Sequence, residues 1–367
     1  MLPLPAGEGW GEGERADNPF AQFFIKGSSA QRSAALPPQN VTNLILVFAA
    51  PLPILARMET VRRAVIDVGT NSIKLLVADV RGREVTPVHE ESRQTRLGKG
   101  FYETHRLQPE TIAHTAEAVW EFGEIAREKN SKSIRVIATS AARDAVNPRD
   151  LTNAIERASG LKTEIITGAR EAEWAFQGVA TDAELAKHPL LLLDVGGGST
   201  EFILGHGQKK SFAHSFPLGT VRLMEKFPHS DPPTRGEFIQ CRDWLKNFLH
   251  HEVRPQLEPA LKNETGEIQL IGTGGTTSIL ARMEKKLERF DRDKIERAVL
   301  TFEQIVAQRK NLWRLPLAGR KEITGLPKSR ADVILTGVLI YEVVMEEFGF
   351  QQLRISTRGL RFAAVMD

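Results

Sequence analysis

One cysteine, Cys241, stands among 367 residues, so no intrachain disulfide can form. The nine histidines never fall into His-Glu-x-x-His spacing, and no Cys-x-x-Cys pair exists, which excludes a disulfide scaffold and a zinc finger together. An excess of one charge is also lacking: 49 Lys+Arg against 46 Asp+Glu leave only +3. That balance gives no basic stripe for duplex nucleic acid, so any anion site must be local. In the first stretch the sole apolar run, residues 44–56, is interrupted by Pro51 and Pro53. It falls short of the roughly 20 residues needed to cross a bilayer. It also lies too deep for an ordinary signal peptide, so a cytoplasmic protein is expected, with no membrane partner.

What is present is an ordinary globular composition, 41% hydrophobic and 26% charged, long enough for two domains or one large one. Seven of the 19 prolines crowd into residues 1–53 beside the run Gly7-Glu8-Gly9-Trp10-Gly11-Glu12-Gly13-Glu14, and no helix or strand period survives there. Residues 1–57 are therefore expected to be an unstructured extension, with Met58 the natural start.

Beyond Met58, strand and helix patterns alternate. Two apolar runs, 64–66 and 73–80, flank Asp67-Val68-Gly69-Thr70-Asn71-Ser72 and read as a hairpin. The spacing then predicts helices over 107–129, 148–158 and 169–179, with strands at 133–138 and 163–167. At 190–193 the order restarts and enters Asp194-Val195-Gly196-Gly197-Gly198-Ser199-Thr200, which 201–204 leaves as a second hairpin arm. An amphipathic helix through Phe238, Cys241, Leu245 and Phe248 follows, then a strand at 268–271. A third glycine turn, Gly272-Thr273-Gly274-Gly275-Thr276-Thr277, precedes a helix from about Ser278. This weak internal repeat predicts two similar α/β domains, 58–187 and 188–367, facing across a cleft. Trp120, Trp174 and Trp244 are expected in the core, and His250 and His251 at the surface.

Glycine turns let backbone N–H groups converge on a phosphate, and Ser or Thr hydroxyls add donors. One such turn is commonly only a tight hairpin; three in one chain point to phosphate. Asp67 and Asp194 each end an apolar strand at its turn. Either alone could be a turn cap, but two at equivalent repeat positions favour a divalent ion between them, Mg²⁺ above others. Glu171 opens a helix, where the dipole favours the carboxylate and does not raise its pKa. A base that weak would mainly orient water; a plain first-turn Glu is the alternative.

Seven ordered segments, 64–80, 137–147, 168–179, 190–205, 216–223, 271–283 and 330–362, resemble the exopolyphosphatase / guanosine pentaphosphate phosphatase family, part of the superfamily of actin, heat-shock chaperone ATPases and sugar kinases. The resemblance implies two ribonuclease-H-like (actin-like) domains with mixed sheets flanked by helices. It also implies hydrolysis of a terminal phosphate from polyphosphate or from the guanosine alarmone. The chain ends too soon for the C-terminal helical domain of some members and so resembles the short form. The resemblance assigns phosphate contacts to Asn71 and Ser72 in the first loop and to Gly196, Gly197, Gly198, Ser199 and Thr200 in the second. It places Gly274, Gly275 and Thr276 in the loop that frames ATP in related kinases. Asp194 and Glu201 would hold Mg²⁺ directly or through water, joined by Asp67, and Glu171 would be the catalytic base. Where the family commonly has two adjacent acids, Arg170 precedes Glu171, and Glu173 is a weaker stand-in.

Arg93 and Arg96 with Leu97-Gly98-Lys99 match the family's Arg-Leu-Gly segment, and Arg143 follows Thr139-Ser140-Ala141-Ala142. Arg forks suit a polyanion, with Arg96 and Arg143 preferred over Arg93 and Lys99, which read equally as solvated. Arg222, and Arg330 with Asp332, are left between phosphate contact and interdomain salt bridge. Exopolyphosphatase, guanosine pentaphosphate phosphohydrolase and a weakly hydrolysing alarmone switch all stay open, as does a homodimer. A sugar kinase is disfavoured, since no acceptor-sugar motif is present.

Overall fold

A computed structural model describes residues 59–367. The expectations for residues 1–57 and for a start at Met58 lie outside the described residues. The chain forms two mixed sheets. In the first, β1 (Val61–Val68), β2 (Ile73–Arg81) and β3 (Glu84–Arg93) make an antiparallel meander, and β4 (Ser133–Ala138) and β5 (Thr163–Ile165) add in parallel on the other side of β1. The order is β3-β2-β1-β4-β5.

The second sheet repeats this plan. β6 (Pro189–Val195), β7 (Thr200–His206) and β8 (Lys209–Phe216) form the meander, β9 (Gln269–Thr273) lies parallel to β6, β10 (Val299–Thr301) forms the edge, and β11 (Gln352–Ile355) continues the parallel side. Its order, β10-β11-β9-β6-β7-β8, contains the first sheet's order plus one edge strand. The two actin-like halves thus share a register, with Asp67 opposite Lys74 in one hairpin and Asp194 opposite Glu201 in the other.

Helices cover both faces of each sheet, which explains why β1 and β6 read as continuous apolar runs. On the first sheet, α1 (Pro109–Glu128) and α2 (Pro148–Ser159) pack Val119, Phe122, Leu151 and Ile155 on Ile66, Leu75 and Val77. Between the sheets runs α3 (Gly168–Val179), whose Trp174 joins the first sheet's core while Ala172, Ala175 and Phe176 pack on Leu190, Leu192 and Ile203 of the second. On the far face of the second sheet, α4 (Thr220–Lys226), α5 (Arg235–Phe248), α6 (Gly274–Glu284) and α7 (Ile334–Phe348) bury Leu223, Leu245, Leu280 and Leu335.

The last helix, α8 (Leu360–Ala364), does not stay with the half it follows in sequence. It crosses back and packs Leu360 and Phe362 on Val65 and Leu76 of the first sheet. Arg63 in β1 fastens it by donating to the Met366 carbonyl at 2.8 Å. At the crossing with α3 a methyl group on Gly178 would lie 2.0 Å from the Gly359 carbonyl, so only glycine fits there.

Two sequence expectations are corrected. Trp120 is 46% exposed, on the outer face of α1, whereas Trp174 is buried and Trp244 half-buried. The third glycine segment is less a turn than a helix start: α6 begins at Gly274, so Gly275, Thr276 and Thr277 already belong to its first turn.

Candidate active site

The ends of β1, β4, β6 and β9 open into a cleft of about 490 Å³ between the halves. Both Asp-Val-Gly turns close alike, Gly69 N–H to the Ser72 carbonyl at 3.1 Å and Gly196 N–H to the Ser199 carbonyl at 3.0 Å. Asn71, Ser72, Gly196, Gly197, Gly198 and Ser199 all line the cleft. From the second half, Gly274, Gly275 and Thr276 reach the same space, where the first N–H groups of α6 lack intrahelical partners. Gly274 has φ 87°, and a methyl group on it would lie 2.4 Å from Asp194 Oδ1, so only glycine lets the turn close on that carboxylate.

Not every predicted hydroxyl is available. Thr200 is fully buried, and its hydroxyl donates to the Leu218 carbonyl at 2.5 Å. Thr276 ties the third segment to the second through the Val195 carbonyl at 3.1 Å. Asn71 accepts from Gln94 through Oδ1 at 3.0 Å and keeps its buried Nδ2 without a partner.

Asp67 and Asp194 both line the cleft, and burial raises both pKa values above the ordinary carboxylate range. Lys74 and Arg361 oppose that rise, but no hydrogen bond relieves either carboxylate. Two carboxylates without donors, Asp67 buried and Asp194 half-buried, are costly as anions and suit a cation, so the residues fit a divalent ion. Among the described residues no three His, Cys, Asp or Glu converge as a complete cage, so an ion here would keep water or phosphate oxygens as ligands. Glu201 is 1% exposed, accepts from Ser199 at 2.8 Å and Ser215 at 2.7 Å, and is held well above its ordinary pKa by burial and then by the Glu171 charge.

Glu171 sits in the first turn of α3, capped by the Thr167 hydroxyl. Its Oε2 accepts from Arg143 at 2.9 Å. Burial nevertheless pushes its pKa up to about 7, beyond what Arg143 offsets, and the Asp67 and Asp194 charges add to the rise. The helix start does not itself raise the pKa; burial does, and the base is stronger than its position on the helix alone would make it. Glu173 points elsewhere and pairs with Lys210 and Gln177. Arg170 binds Asp367 at 2.7 Å, outside the cleft.

The arginines are redistributed. Arg143 holds Glu171 and the Ile166 carbonyl and is absent from the cleft wall. Arg96 also lies off the wall, paired with Asp332 at 2.8 Å across the halves. Arg222 bridges them too, reaching Asp144 at 3.0 Å. The cations that do face the cleft are Lys74, Arg282, Arg330 and Arg361. Arg330 donates to Ser72 at 2.7 Å, and burial lowers its pKa to about 10. Lys74 is likewise lowered by burial, against the pull of Asp67 and Asp194. Sequence reasoning missed Lys74, although it follows Asp67 by the seven positions that separate Asp194 from Glu201.

Residues 76–366 match the sequence profile of the Ppx/GppA phosphatase family. Exopolyphosphatase 2 of Mycobacterium tuberculosis is 35% identical over 320 residues, 83% of this chain and 97% of that protein. A crystallised Ppx/GppA enzyme of Aquifex aeolicus superposes with a TM-score of 0.68 at 31% identity, covering 84% of this chain and 99% of that one. An exopolyphosphatase from Cytophaga hutchinsonii reaches 0.74 at 29% identity, covering 82% and 96%. Two actin-like halves around a cleft of glycine turns, acids and half-hidden cations thus carry a sequence that matches this family almost from end to end of its described part, and the chain belongs to the Ppx/GppA phosphatases, hydrolases of phosphoanhydride bonds.

Proposed function

We propose that the protein removes the terminal phosphate of inorganic polyphosphate, with Mg²⁺ as cofactor and Glu171 as the base, working in the cytoplasm. The observation that carries this reading is Glu171: a cleft-lining carboxylate, fixed by Arg143 through one oxygen, with its pKa pushed up to about 7. A carboxylate so tuned can accept a proton near neutral pH while its second oxygen orients water. The water oxygen bonds to the terminal phosphorus, its proton passes to Glu171, and the bridging P–O bond breaks with its electron pair left on the shortened chain. Phosphoryl transfer is loose, so positioning and charge neutralisation do most of the work. Asp67 and Asp194 would hold Mg²⁺, with Glu201 a direct or water-mediated ligand; when bound, the ion neutralises charge on the phosphate oxygens. Lys74 and Arg330 add fixed positive charge from the cleft wall.

The halves that grip the substrate divide, in this reading, near residues 187 and 188. Among the described residues no helix is long and apolar enough to cross a membrane. A second substrate, guanosine pentaphosphate or another nucleoside polyphosphate, is favoured by one feature: Phe290, 45% exposed, lines the cleft together with Ile279 and Pro327. Such an apolar wall suits a base. Phosphate release from long-chain polyphosphate, guanosine pentaphosphate and ATP, assayed side by side with Mg²⁺, tests both. Preference for long chains supports the first reading, and turnover confined to the nucleotides replaces it with the second.

A further inference from the structure

Three buried hydroxyl oxygens beside the second glycine turn lack a well-formed hydrogen bond, Thr70 Oγ1, Tyr102 Oη and Ser140 Oγ, with only a weak Tyr102–Thr70 contact among them. They come from separate segments and converge on one point. A methyl group on Gly198 would lie 2.2 Å from Tyr102 Oη, 2.4 Å from Ser140 Oγ and 2.9 Å from Thr70 Oγ1. Buried hydroxyls are normally satisfied, so three left open at one place call for an occupant. Thr70, Ser140 and Gly198 line the cleft, and Tyr102 stands behind them.

Tyr102 is held from the opposite half. The Arg222 guanidinium lies 4.2 Å from its ring centre, and its backbone N–H donates to Glu225 at 3.2 Å. Burial pushes the phenol up to about 12, so the hydroxyl is neutral and able to donate throughout the neutral range.

We propose that Tyr102 is a positioning residue of the phosphate site, completing with Ser140 and Thr70 a hydroxyl cradle for one substrate phosphate oxygen. Ser140 and Thr70 face that oxygen, and Tyr102 orients Thr70 from behind. The assignment rests on the cleft being a phosphoanhydride site. It commits the ligand to a tetrahedral oxyanion, whatever is attached to its far side.

The test uses the full chain, inorganic phosphate as a probe that binds without turnover, and the variants Tyr102→Phe and Ser140→Ala. Tyr102→Phe keeps the ring beneath Arg222 and removes one oxygen. Calorimetry should show phosphate affinity falling about tenfold in each variant, the scale of a hydrogen bond to a charged group. The double variant should lose less than the product of the two, because both act on one phosphate oxygen, Ser140 directly and Tyr102 through Thr70. The melting temperature of Tyr102→Phe should not fall. Wild-type affinity with a lowered melting temperature would mean that the hydroxyls serve only the fold, and the cradle is then wrong. A wild-type protein that binds phosphate yet releases none from any phosphoanhydride removes the proposed function while leaving the cradle standing on its affinities. Wild-type protein that binds no phosphate overturns both.

Discussion

Lys74 occupies in the first hairpin the position that Glu201 occupies in the second. Each stands opposite the aspartate that ends the preceding strand, Asp67 or Asp194. The repeat has therefore placed a cation and an anion at equivalent points of one cleft. An ammonium beside two carboxylates keeps the local charge tolerable when phosphate is absent, and offers a donor when it arrives.

Lys74→Met keeps the length of the side chain and removes the charge. The loss of a buried charge–phosphate contact should lower kcat/KM by roughly 10- to 100-fold, in line with about 1.5–3 kcal/mol for a hydrogen bond to a charged group. Steady-state kinetics beside a melting curve separates this from misfolding. Unchanged kcat/KM in a folded variant would leave Lys74 as a spectator.

Asp194→Asn and Glu201→Gln should each raise the Mg²⁺ concentration needed for half-maximal activity by about tenfold or more, on the scale typical of metal-site residues. Asp194→Asn should also raise the metal-free melting temperature, since it removes a half-buried carboxylate that has no donor. A wild-type Mg²⁺ titration in either variant would strike that residue from the metal site.

Glu171→Gln should cut kcat by roughly 10²- to 10⁴-fold with little change in KM. In the wild type, activity should rise with pH through about 7 as the carboxylate ionises. The stability consequence has the opposite sign. A folded-state pKa of about 7 against an ordinary 4.5 means that the contribution is full below 4.5 and is lost as pH rises through about 7. Glu171→Gln should therefore flatten the fall in melting temperature over that window. If the fall persists in the variant, burial of Glu171 is not its origin.

Arg330→Met should raise KM more than Arg96→Ala does, because Arg330 faces the cleft and Arg96 is tied to Asp332. Added salt should raise KM for both proteins, since screening acts within roughly 8 Å at physiological ionic strength. Equal KM values for the two variants would return Arg96 to the substrate groove.

Much of the fold was legible because β1 and β6 carry the apolar runs 64–66 and 190–193 into the same Asp-Val-Gly words, and α1, α2 and α5 carry clean helical periods. β3 was not legible. Its sequence, Glu84–Arg93, mixes charges on both faces of an edge strand, so no alternation marks it. The start of α6 was missed because two glycines argue locally for a turn, whereas tertiary contact with Asp194 makes them a helix entry. For the site, residue types pointed to the acids and glycines, but pairing is a matter of distance. Nothing in sequence spacing shows that Arg96 is spent on Asp332 and Arg143 on Glu171, or that Arg330 comes from 258 residues away to meet Ser72.

The bond between Arg63 and the Met366 carbonyl joins positions 303 residues apart, and α8 covers the face of the first sheet that holds Val65 and Leu76. A ribosome adding about 5–20 residues per second would emit the strand that carries Arg63 roughly 15–60 s before Met366. During that interval an apolar sheet face waits in water, open to chaperones or to another nascent chain. Of the two halves, the one made first is the one completed last.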